Sequence, residues 1–128
     1  MSKNNNLTEI LDLFKKGKLE EALVLCDKYQ YKKNNHIIKN LKGAIYFKQK
    51  KFNLAKKNFA HSIELNKNFI DPYNNLYALL ISTKEYNNLI IVAKKIFELD
   101  KNNPISHFKL AYAFEVSGGL SQSINYYN

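Results

Sequence analysis

The chain has 128 residues, is 45% hydrophobic and carries a formal net charge of +9, which predicts one folded domain rather than a disordered segment. No apolar run is long enough to span a membrane, and the N-terminal residues lack the apolar stretch of a signal peptide, so we expect a cytoplasmic protein. A single cysteine excludes an internal disulfide framework.

The positive charge comes from lysine alone, because all 20 basic residues are lysine and arginine is absent. Asn, Ile, Tyr and Phe are also abundant, a composition typical of an AT-rich genome. The alternative is an anionic partner, either a nucleic acid or a membrane surface. Nucleic-acid recognition usually relies on the bidentate guanidinium that this chain lacks, and the lysines are scattered. We therefore expect that a nucleic acid is not the partner and keep it as a minor alternative.

Apolar residues three and four apart predict helices throughout the chain. The first helix spans about residues 7–16 and ends at Gly17, which suits a left-handed C-cap. The second starts near Leu19 and the third near His36. Gly43 lies in the middle of the third helix, where glycine costs up to about 1 kcal/mol against alanine. We expect a close helix–helix contact at this glycine.

The later helices show the same spacing of apolar residues three and four apart, with turn residues or proline at their boundaries. They are predicted over residues 52–66, from Asp71-Pro72, over residues 86–100, from Pro104 to Gly118-Gly119, and from Leu120 to residue 128. The helices therefore come in pairs joined by loops of about two to five residues, the usual length in helical hairpins.

One helix position recurs at a nearly fixed interval. Ala22, Ala55, Leu89 and Ser123 follow one another at a spacing of about 34 residues. Such a period of paired helices is typical of a solenoid. It divides the single predicted domain, residues 1–128, into repeats of about residues 3–35, 36–69, 70–103 and 104–128, of which the last is incomplete.

This repeat frame predicts which side of a helix is buried. In the fourth helix, Ala55 and Phe59 fall on the inner face, where a small residue allows close approach and an aromatic ring fills the space beyond it. Lys56 and Lys57 fall on the outer side. We therefore expect the first two residues to be buried and the two lysines to be exposed.

The residues at several repeat positions resemble the tetratricopeptide repeat (TPR). The second repeat supplies Gly43, Tyr46, Phe52, Ala55 and Phe59, and the fourth supplies Leu110, Ala111, Phe114 and Gly118. The resemblance implies an all-α, right-handed α-solenoid of antiparallel helix pairs. The third repeat departs from the pattern, because Tyr77 stands where a small residue is expected and Leu89 replaces an alanine. We expect this repeat to pack more loosely or at a shifted angle.

The resemblance also implies a concave groove, lined by the first helix of each pair, that binds a peptide or partner protein segment. Asn40 and Asn74 occupy equivalent positions, from which their amides would hydrogen-bond a peptide backbone. Of the clamp with which some family members bind a chaperone's C-terminal carboxylate, only Asn75 matches, so such a clamp is not expected. The implied groove residues are Leu11, Phe14, Asn40, Ala44, Phe47, Lys48, Asn74, Ala78, Ile81, Phe108, Tyr112 and Glu115.

Motifs for catalysis are absent from the sequence. There is no Gly-rich phosphate loop and no HExxH or CxxC motif, and the three histidines share no ligand spacing, so we expect neither a cofactor nor a metal. Cys26 falls at a position that the family buries, which predicts an inert thiol. The first functional hypothesis is a non-catalytic protein–protein interaction scaffold. The alternative is an N-terminal recruiting appendage of a larger enzyme, such as a transferase.

The last predicted helix raises a further expectation. It carries Leu120, Ile124, Tyr126 and Tyr127 without a following helix to cover them. An uncapped apolar end usually marks an interaction site or an incomplete domain. We expect the chain to be the N-terminal part of a longer protein, with self-association through this end as the alternative.

Overall fold

The computed structural model describes residues 3–33 and 35–118, with side chains from residue 6 onward. These residues form seven α-helices and no strand, which confirms the all-α prediction. The predicted last helix, with Ser123, lies outside the described residues. The helices are α1 (Lys3–Lys15), α2 (Leu19–Tyr29), α3 (Asn35–Lys48), α4 (Phe52–Leu65), α5 (Asp71–Ser82), α6 (Tyr86–Leu99) and α7 (Pro104–Val116).

The boundaries follow the turn chemistry of the sequence. Most predicted helix ends lie within one or two residues of the observed ones, although α1 begins at Lys3 rather than near Leu7. The connections are residues 16–18, 30–34, 49–51, 66–70, 83–85 and 100–103, all within the predicted loop lengths. The chain forms two compact units, Met1–Pro72 (the first unit) and Tyr73–Asn128 (the second unit).

The first unit is built around apolar residues of α1 to α4. Its fully buried side chains include Ile10, Ala22, Cys26, Ile45, Ala55 and Phe59. The burial predicted for Ala55 and Phe59 is therefore confirmed. Lys57 is exposed as predicted, whereas Lys56 is half-buried. Burial raises the pKa of the Cys26 thiol to about 12, which keeps it protonated and unreactive at neutral pH.

Polar side chains fix the antiparallel register of α2 and α3. As the residue number rises along α3, the number of its partner in α2 falls by a similar amount. One of these pairs, Lys42 of α3 with Asp27 of α2, also changes a pKa. Burial alone would lower the pKa of Lys42, but the hydrogen bond and the charge of Asp27 outweigh burial and raise it. The three pairs are Lys39–Gln30 at 3.5 Å, Lys42–Asp27 at 2.6 Å and Gln49–Glu20 at 2.8 Å.

The predicted close contact at Gly43 is present between α3 and α4. A Cβ atom built on Gly43 would lie 2.6 Å from both Cδ1 and Cε1 of Phe59. Carbon atoms pack no closer than about 3.5 Å, so the Phe59 ring occupies the space of the missing side chain. The propensity cost of a glycine inside a helix is therefore offset by a large aromatic ring packed directly against the backbone.

The second unit inverts this arrangement at the same repeat positions. Tyr77 lies one repeat length after Gly43, and Ala93 lies one repeat length after Phe59. Both are buried, with Tyr77 7% exposed and Ala93 fully covered. In the first unit the small residue is on α3 and the large one is on α4. In the second unit the large residue is on α5 and the small one is on α6. The expectation that the third repeat packs more loosely or at a shifted angle stays a prediction.

A left-handed residue follows the first helix of each pair. Positive φ angles occur at Gly17 (77°), Lys50 (61°), Lys84 (59°) and Gly118 (92°), again at the repeat spacing. In the first three turns the next amide donates to a carbonyl five residues earlier, as in Lys18 N to Leu13 O at 2.9 Å. These are Schellman motifs, in which glycine avoids the steric cost of a Cβ atom. The sequence predicted the left-handed cap at Gly17 but not those at the two lysines.

Candidate peptide-binding face

The residues predicted to line a groove differ in their exposure. In the first unit Leu11 is 40% exposed and Lys48 is also exposed. Phe14, Ala44 and Phe47 are half-buried. In the second unit Ala78, Phe108 and Glu115 are exposed, while Asn74, Ile81 and Tyr112 are half-buried. Asn40 is 6% exposed and lies in the interior, so its amide is not presented at the surface for a peptide.

Several of these residues meet a partner that bears on binding. The Lys48 ammonium lies 5.6 Å from the Phe14 ring centroid in the first unit. In the second unit the rings of Phe108 and Tyr112 stack with centroids 6.4 Å apart and planes 12° apart. Asn74 accepts a hydrogen bond from the Lys109 ammonium at 2.8 Å.

Helix α7 presents apolar residues to solvent as well as to the core. Its inner side buries Leu110, Ala113 and Phe114. Its outer side carries Ile105, Phe108 and Tyr112 at steps of three and four, and these residues are here termed the α7 face. Ile105 is 60% exposed and Phe108 is 58% exposed, values far above those of core residues. A helix that is apolar all round is usually buried, so this outer side is more exposed than its composition predicts.

The start of α7 is fixed by several contacts that hold the face in place. The Asn103 side chain caps the helix by accepting a hydrogen bond from Ile105 N at 3.0 Å, and Pro104 occupies the first turn. His107 lies 2.8 Å from the Lys101 carbonyl and packs edge-on against Phe97, with ring centroids 4.8 Å apart. The α7 face therefore sits on a firmly anchored helix.

Lys109 lies next to this face and is half-buried. Its ammonium donates to Asn74 Oδ1 and lies 5.2 Å from the Tyr77 ring centroid, while the Tyr77 hydroxyl donates to the Lys109 carbonyl at 3.1 Å. Burial lowers the pKa of this ammonium. Within the described part of the chain, no carboxylate lies within ion-pair distance of it.

Lys109 was not among the residues predicted from the sequence, because the groove positions of the repeat pattern fall on its neighbours. The available signal was its position between Phe108 and Tyr112, about one helical turn after Ile105. A cation placed there extends the outer apolar surface with a positively charged group. The arrangement suits a ligand that offers an apolar side chain and a hydrogen-bond acceptor or negative charge.

The described residues give no sign of a metal or membrane-spanning element. No group of three His, Cys, Asp or Glu side chains among them is placed to hold a metal ion. None of the helices at residues 3–33 and 35–118 has the length and hydropathy needed to cross a bilayer.

Comparison with solved structures identifies the fold. A crystal structure of MamA matches with a TM-score of 0.83 and 17% identity over 97% of this chain and 73% of that one. MamA residues 41 to the end from Desulfovibrio magneticus RS-1 match with a TM-score of 0.81 and 17% identity, covering 96% and 70% of the two chains. MamA from AMB-1 matches with a TM-score of 0.75 and 18% identity, over 95% of this chain and 72% of that one.

These similarities are structural rather than sequential. No protein-family model matches the chain, and a search of curated proteins found no match. At identities below one fifth, a similarity of this kind establishes the fold alone. The chain therefore has the TPR-like helical-repeat fold of MamA.

Proposed function

We propose that the protein is a non-catalytic scaffold that binds an extended segment of a partner protein on the α7 face. The observation that carries this proposal is the solvent exposure of Ile105 and Phe108 on a helix whose opposite side is fully packed. An isolated exposed apolar residue is ordinary, but aligned residues on a capped helix form a surface that a partner can cover.

The chemistry of this face defines what the partner offers. Phe108 and Tyr112 provide large, rigid rings that lose little conformational entropy on binding, which is why aromatic residues dominate the energetics of many interfaces. Lys109 supplies a partly desolvated cation beside them, and a charge-assisted hydrogen bond to such a cation is stronger than one made in water. We therefore expect a bound segment that places an aliphatic or aromatic side chain next to a carboxylate.

Selection from a random displayed-peptide library tests the proposal without a known ligand. We expect enrichment of peptides in which an acidic residue neighbours an apolar one, with micromolar affinity by fluorescence anisotropy. Phe108→Ala should weaken binding of a selected peptide about 30-fold, the effect of losing a contact of about 2 kcal/mol. Far-UV circular dichroism should be unchanged, since the side chain is exposed.

The matched control is Ile91→Ala, which removes another exposed apolar side chain in the same unit. Ile91 is 67% exposed and belongs to α6 rather than to the α7 face. We expect this variant to bind the selected peptide with the affinity of the unaltered chain. Equal loss in both variants, or peptides that bind equally well without Phe108, would contradict the proposal.

A further inference from the structure

The positive charge of the protein is concentrated in the first unit. Residues 1–72 contain fifteen lysines and seven acidic residues, a formal charge of +8, whereas residues 73–128 contain five lysines and four acidic residues, a charge of +1. AT-rich codon usage would enrich lysine along the whole chain and does not explain this difference. The excess therefore calls for a feature specific to the first unit.

Six of these lysines lie in two equivalent turns. Three lie at the end of α1 and in the turn after it, and three lie at the end of α3 and in the turn after it; two of the three positions match between the first two repeats, Lys15 with Lys48 and Lys18 with Lys51. All six are exposed. They are here termed the lysine edge: Lys15, Lys16, Lys18, Lys48, Lys50 and Lys51.

The fold brings the two turns together at one edge of the unit. Helices α1 and α3 are in contact, and the Lys48 ammonium, at the end of α3, lies 5.6 Å from the ring of Phe14, at the end of α1. Between the turns, Gln49 Nε2 donates to Glu20 Oε1 at 2.8 Å. The two segments that carry the six lysines are therefore neighbours in the fold.

Three acidic residues nearby lower the formal charge of the edge from +6 to +3. Asp12 forms an ion pair with Lys16 at 2.9 Å, Glu20 accepts the hydrogen bond from Gln49, and Glu21 is exposed on α2. Within residues 3–33 and 35–118, the other five lysines of the edge form no ion pair.

Several of these lysines are unfavourable for local stability. Lysines at helix C-termini, such as Lys15 and Lys48, complement the helix dipole and have a structural explanation. Lys18 and Lys51 instead occupy the N-cap positions of α2 and α4 without a capping hydrogen bond, where the dipole disfavours a cation. Lys50 adopts the left-handed conformation that favours glycine.

The equivalent turn of the second unit shows that the fold does not require lysine at the N-cap position. It reads Ser82, Thr83, Lys84 and Glu85, so it keeps a left-handed lysine but has an acidic residue at the N-cap position that lysine occupies in the first unit. Residues that break local rules without a compensating contact are expected where a surface serves a function.

We propose that the lysine edge binds the anionic surface of a phospholipid bilayer. Lysine suits this role because electrostatic attraction to anionic headgroups needs point charges near the surface and no bidentate geometry. Leu54, 44% exposed in the first turn of α4 just after Lys51, adds an apolar side chain at the same edge. The proposal is independent of the peptide-binding function assigned to the α7 face.

The aromatic residues at this edge favour lipid over single-stranded nucleic acid. Single-strand binding combines positive charge with open rings on which bases stack. Here the ammonium of Lys48 covers the Phe14 ring, and Phe47 packs edge-on against Phe52 with centroids 6.0 Å apart. All three rings are half-buried, so none of them stands free as a stacking platform.

Vesicle sedimentation with the full chain tests the proposal. We expect binding to phosphatidylcholine vesicles that contain phosphatidylserine and none to pure phosphatidylcholine. Binding should disappear between about 0.1 M and 1 M salt, where the screening length falls from about 10 Å to about 3 Å. Replacing Lys15, Lys18, Lys50 and Lys51 with Gln should weaken binding about 100-fold or more.

A control variant with the same net charge as the edge variant shows whether vesicle binding depends on the lysine edge or on the net charge of the chain. Lys28, Lys32, Lys33 and Lys57 are exposed elsewhere in the first unit, and their replacement with Gln should leave most of the vesicle binding intact. The edge variant should melt no lower than the unaltered chain, because removing the cations Lys18 and Lys51 from two helix N-termini offsets the loss of Lys15 from a helix C-terminus. Equal loss in both variants, absence of vesicle binding, or tighter binding to duplex DNA than to vesicles would overturn the proposal.

Discussion

The two units use the same pair of repeat positions in opposite ways. In the first unit, Gly43 on α3 leaves room for the Phe59 ring of α4. In the second unit, Tyr77 occupies the first of these positions and Ala93 the second, and both are buried. Each unit therefore buries one small and one large residue at this pair of positions, in opposite order. A residue that departs from the family pattern is best read together with the residue at the paired position of the second helix.

The largest expected effect on stability comes from removing the side chain of Phe59, the large residue of the pair in the first unit. Phe59→Ala should lower the free energy of unfolding by about 3–5 kcal/mol, because the side chain is fully buried and a glycine opposite cannot refill the cavity. Chemical denaturation monitored by circular dichroism measures this change. An unchanged unfolding midpoint would show that the contact does not hold the helices together.

Replacing the small residue of this pair, Gly43, with alanine should lower the free energy of unfolding by less than Phe59→Ala does. Gly43→Ala improves helix propensity by up to about 1 kcal/mol but places a Cβ atom 2.6 Å from the Phe59 ring, so a net loss of about 1–2 kcal/mol is expected. In the background of Phe59→Ala the same change should become neutral or stabilising. A cost that persists without the ring would mean that another contact at Gly43 is responsible.

The smallest expected effect concerns the turns that both units share. Lys50→Gly and Lys84→Gly should each stabilise the chain by about 1 kcal/mol, since glycine adopts positive φ without the steric cost of a Cβ atom. Lys57→Gly is the control, because this exposed lysine lies within α4 and glycine there should destabilise by about 1 kcal/mol. Thermal melting distinguishes these signs. Destabilisation by Lys84→Gly would contradict the assignment of strain to the left-handed lysines.

Much of the fold was predictable because it rests on local periodicity and turn chemistry. Apolar spacing predicted the helices and their pairing, and Gly17 and Gly43 marked a left-handed cap and a close contact that the structure contains. The left-handed lysines were not predictable from composition, since lysine has no preference for that conformation. The Schellman hydrogen bonds of the surrounding turn impose it instead.

The groove residues predicted from the sequence differ in exposure, and their role in binding stays a prediction. Phe108 is exposed and Tyr112 is half-buried, whereas Asn40 is directed by α3 into the interior. Lys109 was missed because its significance depends on burial and on its contacts with Asn74 and Tyr77, which are distant in sequence. The clustering of lysines at one edge likewise required the contact between α1 and α3, whereas the sequence showed only scattered lysines.

We propose that each unit carries its own binding surface, lysine-rich in the first unit and aromatic in the second. The most direct test measures vesicle binding and selected-peptide binding for two variants, Phe108→Ala and the fourfold Lys→Gln change at the lysine edge. Phe108→Ala should lose the peptide and keep the vesicles, whereas the fourfold Lys→Gln variant should lose the vesicles and keep the peptide. A variant that loses both ligands, or both variants retaining both, would contradict this proposal.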